Sequence, residues 1–387
     1  LETRDPIDLL TYKRFDVVIK YMYASNLSSN FYENAYREHI GVWNDFNERR
    51  PRKKGYRDFK LAFKSIINNI VDEPVPVNRE GHIANGAHRL AAALYHQRPI
   101  NIRDTDSDEN YHIECDYKFF IRKGLPKHII KRTALEYAKL KPNTHVICLF
   151  PIAHTRIDEV MDIIKKHSNI FYHSSERLNS TGQLGLMKEI YLKDGWANER
   201  GIQRKSDQCF MGNSNVTFVL VDAKNLETVQ KMKNKIRALF NVGNHSVHIN
   251  DTHEETIRIS KTVFNDNSIH FLNNRINILF PNYKKLMSVT KPDDNTVITG
   301  STILSLYGLR DCKDIDLIYY KNAPVDSHNQ YLKTHYKLSL DDIINNPLYH
   351  LYYNGFKYVS LDVIKNMKII RNEPKDIADV KLVELLK

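Results

Sequence analysis

Pro76-Val77-Asn78-Arg79-Glu80-Gly81-His82-Ile83-Ala84-Asn85-Gly86-Ala87-His88-Arg89-Leu90-Ala91-Ala92-Ala93-Leu94 is the stretch around which the rest of the chain is organised. It predicts a short strand over 76–78, a turn at Glu80-Gly81, a second short strand, and then a helix rich in Ala and Leu whose entry carries Gly86, His88 and Arg89. A helix N-terminus offers unpaired amides and a partial positive charge. A glycine for close approach, a guanidinium fork and an imidazole turn that terminus into an anion cradle, and phosphate is the guest it suits. Asn85, Gly86, His88 and Arg89 are the candidate phosphate-binding residues.

The box Asn85-Gly86-Ala87-His88-Arg89, with helix 90–95 behind it, resembles the ParB/sulfiredoxin-like fold. Members of that fold carry G-x-H-R or G-x-R-R at a helix start and bind nucleotide phosphates there. They include nucleotide-gated DNA-partition proteins, ATP-using sulfinic acid reductases and small-molecule kinases, so the resemblance implies a ligand class rather than one reaction. The plainer alternative is an ordinary helix start in which Arg89 makes surface hydrogen bonds and His88 packs.

The chain has 387 residues, room for two or three domains, and its 42% hydrophobic and 27% charged content is that of an ordinary globular protein. No apolar run approaches the roughly 18 residues of a membrane span, so an integral membrane protein is not expected. The chain starts at Leu1, with neither an initiator methionine nor a signal-peptide pattern, which suggests a piece of a longer polypeptide and a cytoplasmic location. Cys115, Cys148, Cys209 and Cys312 are scattered, without a C-x-x-C pair, and are expected to be reduced thiols. The net charge of +11 invites a nucleic-acid reading. It is concentrated in Arg49-Arg50-Pro51-Arg52-Lys53-Lys54 with Arg57, however, and no helix-turn-helix or zinc-finger spacing accompanies it, so nucleic acid ranks behind a nucleotide as partner.

Before the opening motif, helical periodicity runs over 9–26, with Asp16 and Lys20 four apart as a surface pair and Arg14 a further candidate phosphate ligand. A second helix, 59–71, stops at Asp72-Glu73-Pro74. Beyond the motif, the acidic stretch 101–110 lacks the glycine and closing glutamate of a calcium loop. A helix over 131–140 meets Lys141-Pro142-Asn143, taken as the first domain boundary. Strands at 146–150, 170–172 and 216–221 then alternate with helices at 157–166 and 226–240, an α/β pattern. His248 and His253 suggest a metal site, but Thr252 and Glu255 form an ordinary capping box, and the cap is favoured.

Near the end, Val297-Ile298-Thr299-Gly300-Ser301 leads into a helix over 302–307, a loop over 308–313, and Asp314-Ile315-Asp316-Leu317-Ile318-Tyr319-Tyr320. Aspartates at i and i+2 on one strand share a face, so Asp314 and Asp316 could share a divalent cation while Gly300 and Ser301 hold a triphosphate. This arrangement resembles the nucleotidyltransferase superfamily of polymerase-β type, as does the run Lys368-x-x-Arg371-x-x-x-Lys375-Asp376-x-x-Asp379. The resemblance spans about the last hundred residues and implies Mg2+ at Asp314 and Asp316. Active members add a third carboxylate on a later strand, and 349–353 and 356–359 contain none.

Together these readings predict an α+β / α/β multidomain chain: a ParB/sulfiredoxin-like phosphate-binding domain at 1–141, an α/β domain of unassigned role at 142–285, and a nucleotidyltransferase-like domain at 286–387. The expected function is a nucleotide-dependent phosphotransferase, kinase-like or nucleotidyl-transferring. It would use Mg2+ with ATP or CTP and act on a small hydroxyl or glycan acceptor such as a sugar or polyol phosphate, as in surface-polysaccharide assembly. Glu80 is the candidate for activating the acceptor hydroxyl, with His88, Asp314 and Asp316 the other catalytic candidates. The alternatives are a nucleotide-gated ParB-like DNA-binding protein and a toxin-type nucleotidyltransferase.

Overall fold

The structure, a computed structural model, describes residues 2–47, 49, 54–69, 72–105, 115–276 and 282–386. Within the basic cluster, Arg50, Arg52 and Lys53 lie outside the described residues, as do Asp106, Asp108 and Glu109 of the acidic stretch. The chain is mixed α/β, with three small sheets among the described residues, and divides into two compact units. One is Leu1–Pro142 with Asn169–Tyr172; the other is Asn143–Ser168 with His173–Lys387.

The first unit is built around the helix Phe15–Ser25, which packs against Asn30–Trp43, Ala87–His96 and Lys127–Leu140. The expected helix over 9–26 starts late: Pro6–Leu9 is a separate turn of helix, and Arg14 caps Phe15–Ser25 from a non-helical conformation. Its apolar residues Phe15, Val17, Val18, Ile19, Met22 and Tyr23 are all buried. Because helices cover the helix on several sides, Asp16 and Lys20 are buried as well, not the surface pair that their spacing predicts. Tyr23 stacks on Tyr36 at 4.9 Å, and Phe63 joins both rings. Each such ring contributes on the order of 2 kcal/mol by burial.

A three-stranded sheet, Glu2–Arg4, Ile100–Asp104 and Val75–Val77 in that spatial order, flanks these helices. The predicted second strand after Glu80-Gly81 is reduced to one bridge, Val77 to Ile83, because Asn78 turns the chain back on itself by accepting the Glu80 and His82 amides. The chain then enters Ala87–His96 through Gly86 in the left-handed region at φ 87°.

Thr144–Leu149, Asn215–Ala223 and Val247–Ile249 of the second unit form a sheet with the strand Ser168–Arg177, and in it Thr144–Leu149 lies between Asn215–Ala223 and Val247–Ile249, antiparallel to both. With helices Ile157–His167 and Leu226–Ala238 as crossovers, this is a split β-α-β layout. It carries two additional helices, Ser180–Ile190 and Glu199–Phe210, between its second and third strands. Periodicity did not single these two out. The Thr252–Glu255 capping box is formed and starts the helix His253–Val263. All four cysteines are buried thiols outside any disulfide.

The last sheet runs His350–Tyr353, Phe356–Val359, Thr296–Thr299, Asp316–Tyr319. Two helices, Leu361–Arg371 and Pro374–Glu384, close the chain. Among the described residues no helix is long and apolar enough to cross a membrane.

Candidate functional site

In the first unit, Arg14, Asn85, Gly86, His88 and Arg89 line one cavity of about 280 Å³. Gly86 fits there for two reasons. Its φ of 87° is one that side chains resist, and an added Cβ would lie 2.9 Å from Val75 and 3.3 Å from Arg89 Nε. Asn85 Oδ1 accepts the Gly86 amide at 2.7 Å and fixes the approach to the helix.

Arg89 is anchored rather than loose. Its Nη1 donates to the Glu73 carboxylate at 2.9 Å and to the Glu73 and Pro74 carbonyls. His88 sits among Tyr36, Phe59 and Phe63, with Nε2 2.8 Å from the Tyr36 hydroxyl. Burial, then Lys20, holds it well below the ordinary imidazole range, so it is neutral and contributes shape and a hydrogen bond rather than charge.

The charge in this cavity comes from residues that carry no motif. Arg14 donates through Nε and Nη2 to both Asp16 oxygens at 2.9 and 2.8 Å, and its Nη1 donates to the Ile83 carbonyl. Lys20 Nζ donates to Asp16 Oδ2 at 2.7 Å. Burial opposes the Asp16 charge, yet Arg14 and Lys20 hold its carboxyl well below the usual range. Burial in turn pulls the Lys20 ammonium below its own. Two buried cations thus share one carboxylate, and the cavity they line has a positive excess.

His39, on Asn30–Trp43, lines the same cavity and cannot supply the missing negative charge. The Trp43 indole N–H, which can only donate, reaches His39 Nε2 at 3.2 Å. That leaves the proton on Nδ1, and among the described residues Nδ1 has no hydrogen-bond partner although it is buried. Burial and Lys20 keep His39 neutral. A ring that lines the positively charged cavity therefore carries a spare buried N–H donor. Sequence reasoning missed His39, Lys20 and Trp43 as parts of a site.

Glu80, the candidate for activating an acceptor hydroxyl, is not among the residues lining the cavity. It is exposed and pairs with Lys13 at 2.9 Å, with His82 Nε2 3.5 Å away.

In the second unit, Gly300 and Ser301 form the predicted strand-to-helix turn, between Thr296–Thr299 and Ser301–Tyr307. Gly300 adopts φ 66°, and an added Cβ would run into the Asp316 carboxylate. The pair Asp314 and Asp316 does not share a strand face. The strand starts at Asp316, paired with Thr299, and the chain bends before it because its neighbour ends at Thr299 and offers Asp314 no partner. Asp314 is exposed, and Thr302 Oγ1 donates to its carbonyl at 3.2 Å.

Asp316 Oδ1 is 3.2 Å from His328 Nε2; His328 Nδ1 is 2.9 Å from the Tyr336 hydroxyl, which is 2.7 Å from Thr299 Oγ1. No motif pointed to His328. With Asp314 off the strand, strand alternation does not put the two carboxylates on one face, and Asp316 is engaged by His328. Among the described residues no group of three or more His, Cys, Asp and Glu side chains is placed to hold a metal ion.

The Lys368-to-Asp379 run forms an ion network. Arg371 grips both Asp376 oxygens at 2.8 and 2.7 Å, Lys368 reaches Asp376 at 3.1 Å and Asp379 at 2.6 Å, and Arg310 grips both Asp379 oxygens. These bonds clamp Leu361–Arg371 to Pro374–Glu384 and to the loop after Ser301–Tyr307. Comparison with family models, with curated proteins and with solved structures returned no match to this chain.

Proposed function

We propose that the chain is a nucleotide-dependent phosphotransferase whose first unit holds the phosphates of ATP or CTP, taken as the magnesium salt, and transfers the terminal phosphate to a hydroxyl of a small sugar- or polyol-phosphate acceptor. The observation that carries this reading is the charge imbalance of the Gly86 cavity, where buried Arg14 and Lys20 share Asp16. A phosphate oxygen there would complete the coordination of Lys20 and accept from His39 Nδ1. The open amides at the start of Ala87–His96 would face a second oxygen across Gly86. Phosphoryl transfer needs chiefly positioning and neutralisation of charge spread over three oxygens, which is what two fixed cations and a helix terminus supply. His88 and its aromatic neighbours form a dry wall to the site, and Arg89, held by Glu73, braces the turn.

One observation favours a second reading, nucleotidyl transfer in the second unit: the Gly300 turn is pressed against Asp316, whose carboxylate starts the chain through His328 and Tyr336 to Thr299.

ATP and CTP labelled in the terminal or the α phosphate, mixed with sugar- and polyol-phosphate acceptors, separate the two. The first reading predicts transfer of the terminal label, lost in Lys20→Met and retained in Asp316→Asn. Transfer of the α label, lost only in Asp316→Asn, would replace it with the second. If neither label moves and neither nucleotide perturbs Trp43, which lines the first cavity, both fail.

A further inference from the structure

A cavity of about 770 Å³ lies in the second unit at the junction of Glu199–Phe210 with Leu226–Ala238 and Val247–Ile249, apart from the candidate phosphate and magnesium residues, and His248 and Glu255 are in its wall. Five cations line it: Arg200, Arg204, Lys205, Lys233 and Arg237. Three acids line it too, and each is already engaged. Asp251 pairs with Lys233 at 3.2 Å, Glu255 closes the capping box with Thr252, and Asp194 accepts the Trp196 indole N–H at 3.0 Å. Lys205 donates to the Asn244 carbonyl. Among the described residues, Arg200, Arg204 and Arg237 have no carboxylate within ion-pair distance.

Two atoms in the wall point to a missing partner. Arg237 Nε and His248 Nε2 are both shielded from solvent, and neither has a hydrogen-bond partner among the described residues. A shielded guanidinium N–H without an acceptor costs on the order of 1–3 kcal/mol. Burial lowers Arg237 from its ordinary value and, with Lys233, Lys205 and Arg237 close by, pulls His248 down to about 3. His248 is therefore a neutral ring that can donate or accept, beside a desolvated cation. At the same cavity, Tyr191 and Trp196 lie 4.7 Å apart, and Trp196 is 43% exposed, large enough and open enough to receive a ring.

We infer that this cavity is a binding site for a nucleoside phosphate, its phosphates on Arg237, Arg204 and Arg200 and its base or sugar against Trp196 and Tyr191. The site is separate from the Gly86 cavity and does not depend on the reaction proposed for it. A volume of about 770 Å³ suits a ligand of nucleotide size, whereas an inorganic anion would leave most of it, including the aromatic side, unused.

The two tryptophans of the chain allow a test in the full-length protein, because Trp43 lines the first cavity and Trp196 lines this one. In Trp43→Phe, the emission of Trp196 reports this cavity alone. AMP, ADP and ATP should perturb it saturably, with inorganic phosphate and pyrophosphate at least about tenfold weaker, a factor corresponding to one lost contact. Arg204→Glu, at an exposed position, should weaken the response about tenfold or more, and Arg237→Gln should weaken it too, with thermal unfolding unchanged in Arg204→Glu.

Absence of a response up to millimolar nucleotide would overturn the inference. So would a response that survives both substitutions, or one equal for pyrophosphate and nucleotide. A short single-stranded oligoribonucleotide binding far more tightly than any mononucleotide, with steep salt dependence, would replace the small ligand with a nucleic acid. The mirror variant, Trp196→Phe, leaves Trp43 to report the first cavity, so failure of either site is seen independently of the other.

Discussion

The Arg14–Asp16–Lys20 cluster of the first unit and the Lys368–Arg371–Asp376–Asp379 cluster of the second are made of the same residue types, and the two are completed differently. In the second, Lys368, Arg371 and Arg310 face Asp376, Asp379 and Glu373, and both oxygens of Asp376 and of Asp379 accept hydrogen bonds. Charge and hydrogen bonding close within the protein, and the network clamps two helices. In the first, among the described residues, Arg14 and Lys20 share the one carboxylate of Asp16, Lys20 and the Trp43 indole both approach His39 Nε2, His39 Nδ1 is left as a donor, and open space adjoins them. A matched buried cluster is complete as a structural element; an unmatched one beside a cavity is where a ligand of opposite charge gains most.

The largest effect that separates the two belongs to the matched cluster. Asp376→Ala leaves Lys368 buried and Arg371 without its fork, and should cost the second unit about 3–5 kcal/mol, seen as early urea unfolding and loss of amide protection in 361–384. Nucleotide response at Trp43 should be unchanged. A loss below about 1 kcal/mol would mean that packing, and not the network, holds these helices.

Lys20→Met should do the opposite. Nucleotide binding at Trp43 should weaken about tenfold, roughly 1.4 kcal/mol, while the stability of the first unit holds or rises, because Arg14 and Asp16 remain as a neutral pair. A variant in which stability and binding fall together would place this cluster in the same class as the one at Asp376.

The smallest effect is in pH. An unfolded imidazole takes a proton near pH 6.5, and buried His39 refuses it, so below that pH the unfolded chain binds more protons and stability falls as pH falls. His39→Gln should make this dependence shallower between pH 6.5 and about 5, by at most about 1.4 kcal/mol per pH unit. The carboxylates behave differently. Asp16, Asp376 and Asp379 are all depressed, so their contribution is full above pH 3.8 and is lost only as pH falls further. An unchanged slope in His39→Gln would show that the folded imidazole is charged, and would remove the argument for its free Nδ1–H.

Much of this was legible in local sequence. The Asn85-to-Arg89 box gave a glycine at a helix start, and the structure adds that this glycine is left-handed. Thr252 and Glu255 gave a cap, because three-residue spacing is all that a capping box requires. Asp314 and Asp316 were placed together on a face because alternation holds only within a strand, and where the strand begins depends on the length of its neighbour, which ends at Thr299. His39, His328 and Arg237 were illegible as site residues for a related reason, and His248 was noticed only as a possible metal ligand. Each lies on an unremarkable helix, loop or strand, and most of the residues that give it meaning are distant in the chain: Lys20 for His39, Asp316 for His328, and Tyr191 and Arg200 for Arg237 and His248.

The sequence by itself determined the cap at Thr252 and the turn into the helix after Gly86, since capping and glycine placement are properties of neighbours along the chain. Only the tertiary structure decided which charges are matched. Asp16 and Lys20 have the spacing of a surface pair, and it is the packing of surrounding helices that buries them, removes the water that would have screened them and leaves a cavity beside their uncompensated charge.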